Sequence, residues 1–257
     1  FYDLVVRRML WMGKMKGGAD EIWVHPFMAL RDLRIGVQMA EADTVVWLDQ
    51  VNPSVEIAPE YLVRSYRLPH AELREMYTVS FDQPNAVVHL EIKGDIRHIV
   101  LKYASSLRYM WPYSDDATGS FRYGFNTAIN GHIISGQQGS LNTVVTYSER
   151  PAEEKMEADE RRKQVNVWAR FPVHHDGSFN MYLMASSNSL QEAVALYRER
   201  SAQMSRLAEQ SQQYYKRLLK EHLNFETPDT AFNQGYRWAL ARTDQFLQTT
   251  PGLGTAL

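Results

Sequence analysis

The 257-residue chain carries 28 lysines and arginines against 30 aspartates and glutamates, for a net charge of −2, and it lacks the basic stripe of a nucleic-acid surface. It contains no cysteine, which excludes a disulfide framework and a thiolate metal site, and no apolar run approaches a membrane span. At this length either one large domain or two modest ones fits, with roughly three quarters of the unfolded chain's surface removed from water.

Residues 4–11 read as a strand, with β-branched Val5 and Val6 and a glycine-bounded turn over 13–18 behind it. Ile22-Trp23-Val24 follows and is halted by Pro26. Residues 31–37 alternate charged and apolar side chains as a half-buried strand does, and Val45-Val46-Trp47-Leu48 is a short apolar run closed by a turn at Val51-Asn52-Pro53. Further strand patterns cover 61–68, 76–81, 86–93, 96–103, 121–125, 132–135 and 144–147, with Gly, Pro, Asn or Asp between most pairs. About a dozen short strands and no sustained helical period before residue 151 predict a mainly β fold, an antiparallel β-sandwich.

Residues 151–164 hold Glu153, Glu154, Lys155, Glu157, Asp159, Glu160, Arg161, Arg162 and Lys163 with hardly an apolar neighbour. That pattern predicts an exposed loop or a short solvated helix. Strands over 165–173 and 179–185 close the sandwich, joined by His174-His175-Asp176-Gly177, whose Asp-Gly pair predicts a hairpin.

Ser189-Leu190-Gln191-Glu192 is a capping box, and nothing breaks a helix from there to about residue 222. Leu190, Val194, Tyr197, Met204, Leu207, Ala208, Tyr215, Leu218 and Leu219 mark a narrow apolar seam along it. At ~1.5 Å per residue such a helix is about 45–50 Å long, enough to link two domains. Thr227 is a good N-cap for a further helix, with Pro228 in its first position and Asp229 near the positive end of its dipole. That helix puts Phe232, Tyr236, Ala239, Leu240, Thr243, Phe246 and Leu247 on one broad apolar stripe before Thr249-Thr250-Pro251-Gly252 stops it. A stripe of this strength is expected to dock with a partner. The resulting division is 1–187 for the sandwich, 188–226 for a helical linker and 227–257 for the start of a helical domain.

The motifs Asp229-x-x-Phe232-Asn233-x-x-Tyr236-x-Trp238-Ala239, Asp244-x-Phe246-Leu247 and Thr250-Pro251-Gly252-Leu253-Gly254-Thr255 carry a resemblance. They resemble the segment of glycogen-debranching-type (amylo-alpha-1,6-glucosidase-like) glycoside hydrolases that enters the first helix of their catalytic (α/α)6 barrel. The match is close over about the last thirty residues, and the preceding order of strands and then helix agrees more loosely. It implies a supersandwich of the mutarotase-like kind, a linker helix and the opening helix of a truncated barrel. It also implies a parent enzyme that hydrolyses α-linked glucans or related oligosaccharides. The family's catalytic carboxylates lie in the barrel, so the resemblance makes this chain catalytically silent, a support for the barrel that contributes a loop or two to the cleft. Carbohydrate and the C-terminal catalytic domain of the same polypeptide are the implied partners. The chain opens at Phe1 and not at methionine, which fits a leader removed upstream and a periplasmic or secreted setting, and fits trimming equally.

Glycoside hydrolysis needs two carboxyl groups across a cleft. Asp115-Asp116, Asp49, Glu56 and Glu91 are available, but adjacent carboxylates on a strand face opposite ways and those on loops are mostly solvated turn formers. None is assigned as catalytic. His174-His175-Asp176 offers metal donors at a predicted hairpin tip, yet a set needs a further donor from elsewhere, so no metal is expected. No cofactor is expected either: Gly136-Gln137-Gln138-Gly139 lacks the Lys-Ser/Thr of a phosphate loop and reads as a hairpin turn.

His89 and Glu91, two apart, face one side of a strand, and sugar mutarotases use a histidine and a glutamate for proton transfer. This spacing keeps open a self-contained carbohydrate-binding or mutarotase-like sandwich, although His89, His98 and His132 all read more simply as satisfied structural histidines. The substrate-binding candidates are Trp111, Tyr113, Asp115 and Asp116, in an aromatic and acidic loop between two strands. Aromatic faces stack on sugar rings and carboxylates accept hydroxyl hydrogen bonds. The competing reading is a loop whose Trp and Tyr cover the open edge of the sheet.

Overall fold

Alternation along the sequence becomes two eight-stranded sheets, each antiparallel throughout. The computed structural model describes residues 1–110, 120–136, 139–200, 206–221 and 226–256. The first sheet contains β1 (Tyr2–Val5), β2 (Met9–Gly13), β3 (Ala19–Val24), β4 (Phe27–Met39) and β5 (Val45–Trp47), together with β10 (Ile96–Ser105), β14 (Glu153–Asp159) and β15 (Gln164–Pro172). Its order is β1-β2-β3-β4-β10-β15-β14, with β5 also on β4.

The second sheet contains β6 (Ser54–Ala58), β7 (Tyr61–Leu68), β8 (Ala71–Val79), β9 (Asn85–Gly94), β11 (Arg122–Asn126), β12 (Gly131–Ser135), β13 (Asn142–Tyr147) and β16 (Ser178–Ser186). Its order is β11-β12-β13-β16-β9-β8-β7-β6. The inward faces meet in a single core that includes Trp11, Phe27, Ile35, Leu62, Tyr77, Leu90, Leu101, Phe171 and Phe179. Each such side chain contributes about 1.5–3 kcal/mol of burial.

One buried ion pair ties the sheets together. Arg64 on β7 and Glu75 on β8 lie 3.1 Å apart with both side chains fully buried. Arg64 also donates to the carbonyls of Lys14, Met15 and Gly18, which belong to the turn between β2 and β3 in the opposite sheet. Tyr66 and Tyr77 donate their hydroxyls to Glu75.

Helices cover part of the second sheet's outer face. Val87, Val144, Met184 and Ile129 form a second apolar cluster with Ala193 and Leu207. These last two belong to α1 (Leu190–Arg200), which lies on β13 and β16, and to α2 (Leu207–Glu221), which lies on β8. α2 is pinned through a side chain, Ser211 Oγ donating to the Val79 carbonyl at 3.2 Å. Then come α3 (Thr230–Gln245), which packs on α2, and a small hairpin of β17 (Gln248–Thr250) and β18 (Gly254–Ala256) turned by Gly252 at φ +81°.

The structure revises several local expectations. Residues 4–11 are two strands, because the chain reverses between Val6 and Met9 (N–H to C=O, 3.0 Å) and sends the Arg7 side chain toward α3. The first part of the charged run 151–164 is neither loop nor helix but the edge strand β14, with Met156 packed against the core and exposed charges along it, the usual protection of an exposed edge; residues 160–163 are an exposed turn, as expected. β15 and β16 are not a hairpin: they lie in different sheets, and the turn with Asp176 at φ +52° arches between them. Of the helix read over 189–222 the described residues hold α1 and α2, and 201–205 between them lie outside the described residues. The N-cap of α3 is Asp229, whose Oδ1 accepts the N–H groups of Ala231 and Phe232; Thr227 is bonded instead to Asn233 and Asp229.

Candidate functional site

Trp111, Tyr113, Asp115 and Asp116 lie outside the described residues. The flanks of their segment are well tied. Tyr109 bridges to Phe27, the Met28 N–H donates to the Arg108 carbonyl at 2.8 Å and the Met110 N–H to the Pro26 carbonyl at 2.8 Å. On the far side Ser120 leads into β11, the outermost strand of the second sheet. Arg122 pairs with Ser135, Ser135 with Asn142 and Asn142 with Ser186. The start of β11 therefore shares a cross-strand row with the end of β16, from which α1 departs.

A hollow of about 770 Å³ opens there, between β11, β12 and the first turn of α1. Ile133 and Leu190 give it an apolar lining, and Arg122, Asn126, Asn188 and Gln191 give it polar groups. A Cβ added to Gly124 would meet nothing within 4 Å, so the middle of β11 is open. Tyr123, 42% exposed, stands at the margin. Ser135 donates to Asn142 at 2.6 Å, and Asn142 donates to the carbonyls of Gly139 and Ser140, which fixes the adjoining loop. An aromatic ring beside uncharged amides suits a polyhydroxylated ligand.

The carboxylates singled out from sequence are engaged separately. Asp49 receives both guanidinium branches of Arg34 at 2.9 Å, Glu56 accepts the Tyr61 hydroxyl at 2.5 Å, and Glu91 lies 3.3 Å from Arg74. The structure does bring His89 and Glu91 to one side: His89 Nε2 is 3.6 Å from Glu91, and its Nδ1 is 2.7 Å from Asn180 Oδ1. Glu91 also borders a hollow of about 530 Å³ with Arg67, Glu72, Arg74 and Lys93.

His132 is the satisfied structural histidine the strand pattern implied. Burial drives its pKa down to about 4, so the ring is neutral near pH 7. Its Nδ1 accepts from the Tyr147 hydroxyl (2.7 Å), its Nε2–H donates to Glu154 (3.3 Å), and the Tyr103 and Tyr147 hydroxyls are 2.7 Å apart. His98 departs from that reading. Its pKa is lowered by burial and by Arg170 and Arg97, and its buried Nδ1 has no partner among the described residues. At the arch, His175 is exposed and lies 3.5 Å from Asp95 and from Asp176, whose Oδ1 accepts the Gly94 N–H. No group of three or more metal-ligating side chains gathers among the described residues.

The helix α3 is docked with its polar side inward. Its buried positions are Ala241 and Gln245. Gln245 donates to the Pro59 carbonyl (3.0 Å) and to the Tyr215 hydroxyl (3.1 Å). Asp244 accepts from Arg7 and from Tyr214, each at 2.8 Å, while Arg242 donates to Asp3 at 2.7 Å. Phe81 stacks on Tyr214 at 3.8 Å beneath the Arg7 guanidinium. At 100° per residue, Phe232, Ala239, Thr243 and Phe246 fall on the side opposite Ala241 and Gln245. Phe232 is 52% exposed and Phe246 67%, and Leu253 just beyond is 86% exposed. The anchors Arg7 and Gln245, and the anchoring role of Asp244, escaped the sequence reading because apolar periodicity carries no signal for a helix held by polar contacts.

No protein-family model and no curated protein matches the sequence. Solved structures do. A protein assigned as a kojibiose phosphorylase from the human microbiome superposes with a TM-score of 0.65 at 11% identity, over 95% of this chain and 39% of that one. A family GH92 inverting mannosidase from Bacteroides thetaiotaomicron gives 0.65 at 10% identity, over 96% of this chain and 36% of that one. A bacterial glucoamylase complexed with acarbose gives 0.60 at 9% identity, over 93% and 38%. The likeness is one of fold. What they share is a sandwich followed by helices, and the chain spans under two fifths of each of these structures.

Proposed function

We propose that the chain is the non-catalytic sandwich and linker of a glycoside hydrolase acting on α-glucans or related oligosaccharides. In this reading residues 1–187 form the sandwich, 188–226 the linker and 227–257 the opening of the catalytic domain. The observation that carries the reading is the orientation of α3: polar anchors hold it to the sandwich while Phe232 and Phe246 face outward. The catalytic barrel of the same polypeptide covers that face. Trp111, Tyr113, Asp115 and Asp116, together with the hollow beside β11, line the substrate cleft. The fold likeness to enzymes named for kojibiose, mannosides and glucoamylase chemistry supports a carbohydrate substrate.

The test is to read the coding sequence past Leu257 and assay the whole product on α-linked glucosides. Several hundred further residues in repeated helical pairs, with hydrolysis lost when Phe232 and Phe246 are both changed to Glu, support the reading. A stop codon at that point removes it.

The proximity of His89 and Glu91 favours one second reading, a sandwich that interconverts sugar anomers. Polarimetry of freshly dissolved α-glucose decides it: equilibration no faster than the buffer blank rules out that activity, and acceleration lost in Glu91→Gln supports it.

A further inference from the structure

The outer face of the first sheet carries a separate hollow of about 340 Å³. Cross-strand register builds its floor. Arg34 on β4 pairs with Lys102 on β10, Lys102 with Trp168 on β15, and Trp168 with Lys155 on β14. One row across four strands is therefore Arg34, Lys102, Trp168, Lys155. The next row contributes Asn166 and Glu157, and Arg162 and Gln164 close the end.

Two features of this hollow point to a ligand. The first is an excess of positive charge. Arg34 is matched by Asp49, Lys155 by Glu157 at 2.9 Å, and Asp32 by Arg31. Lys102 lies over the Trp47 ring at 5.1 Å, and neither it nor Arg162 has a carboxylate within ion-pair distance among the described residues. Both are exposed, Lys102 directly across from half-buried Trp168 and Arg162 in the turn that leads into β15.

The second feature is an orphaned acceptor. Gln164 is 2% exposed; its Nε2 donates to Asn166 at 2.7 Å, and its Oε1 has no partner among the described residues. A buried carbonyl oxygen left without a donor is costly. A carboxylate cannot relieve it, since it has no proton to give, but a hydroxyl can.

The ligand must therefore combine a negative group, an O–H donor and a flat apolar face for the indole. The volume is at the small end of the about 300–1,000 Å³ typical of ligand sites, which favours one or two sugar units over a length of peptide. We propose that this hollow binds an acidic saccharide, a hexuronate unit whose ring stacks on Trp168. Its carboxylate meets Lys102 and Arg162, and a ring hydroxyl donates to Gln164 Oε1. The site is remote in chain and sheet from α3, so its fate is independent of the barrel-docking reading.

Calorimetric titration of the full chain at low salt, with a galacturonate disaccharide as probe and maltose, inorganic phosphate and polyglutamate as comparators, tests it. The uronide is expected to bind at least tenfold more tightly than any comparator. The Lys102→Gln, Arg162→Gln double variant, changed only at exposed positions, and Trp168→Ala should each weaken binding tenfold or more, while Trp168→Phe keeps it within a few fold. Absence of uronide binding overturns the proposal. So does phosphate binding equally well or indifference to Trp168→Ala, either of which makes this a plain anion patch. Equal binding of maltose removes the acid recognition, and tighter binding of polyglutamate reassigns the face to acidic peptides.

Discussion

Arg64 shows what a single side chain does in this sandwich. Its guanidinium neutralises Glu75 and gathers three carbonyls of the opposite sheet. Arg64→Ala leaves the carboxylate buried and uncompensated, at a cost of about 3–5 kcal/mol, visible as a lower urea midpoint. Replacing both members, Arg64→Met with Glu75→Leu, is expected to cost less than that single change, because the stranded charge goes too. His132 sets a pH response. Its pKa is about 4 in the folded chain and about 6.5 when unfolded, so between those values the unfolded state binds more protons. Its contribution is complete above pH 6.5 and is lost as pH falls toward 4, by up to about 3 kcal/mol. His98 and His25, both lowered chiefly by burial, act in the same direction. Urea midpoints at pH 8 and pH 4.5 should differ less in His132→Gln than in the parent chain.

Elements differ in how openly the sequence announces them. β7 was legible because one of its faces is mostly dry and the other mostly wet, which writes a period of two into the residues, and β10 because a strand buried on both faces is a run of apolar and β-branched residues. β6 and β14 were not, since edge strands with few buried positions lack that contrast. The cap of α3 was blurred by two good capping residues in a row; Thr227 is occupied by Asn233, which leaves Asp229 to receive the first free N–H groups. The apolar stripe of α3 and its call for a partner were legible, and the polar contacts that hold the other side were not, because Arg7 and Pro59 lie far away in sequence. Phe232→Glu and Phe246→Glu are expected to leave stability within about 0.5 kcal/mol, as exposed substitutions do, while reducing binding of a hydrophobic dye. Arg7→Ala removes the anchor to Asp244 and should speed protease cleavage within α3, with little change in the far-ultraviolet spectrum of the strands.

At the scale of the whole molecule, the sandwich and its helices share apolar surface. Val87, Val144 and Met184 are covered by α1 and the start of α2. A chain ending at residue 187 bares that patch, and it is expected to sediment as aggregate at concentrations where residues 1–257 stay dispersed. The substrate-binding candidates read from sequence, Trp111, Tyr113, Asp115 and Asp116, lie outside the described residues. The hollow on the first sheet was invisible in sequence because Arg34, Lys102, Lys155 and Trp168 are scattered over 135 positions and meet only through strand register.

The arch at Asp176 has a consequence for how the protein is made. It delivers β16 between β13 and β9, so the last strand of the sandwich to leave the ribosome becomes the keystone of the second sheet. Until it arrives, β11-β12-β13 and β6-β7-β8-β9 are two unjoined panels, each with a raw margin of unpaired amides. Nascent chains stalled anywhere before Ser178 should therefore recruit chaperones that shield strand edges, and release from them should coincide with the emergence of a segment only nine residues long.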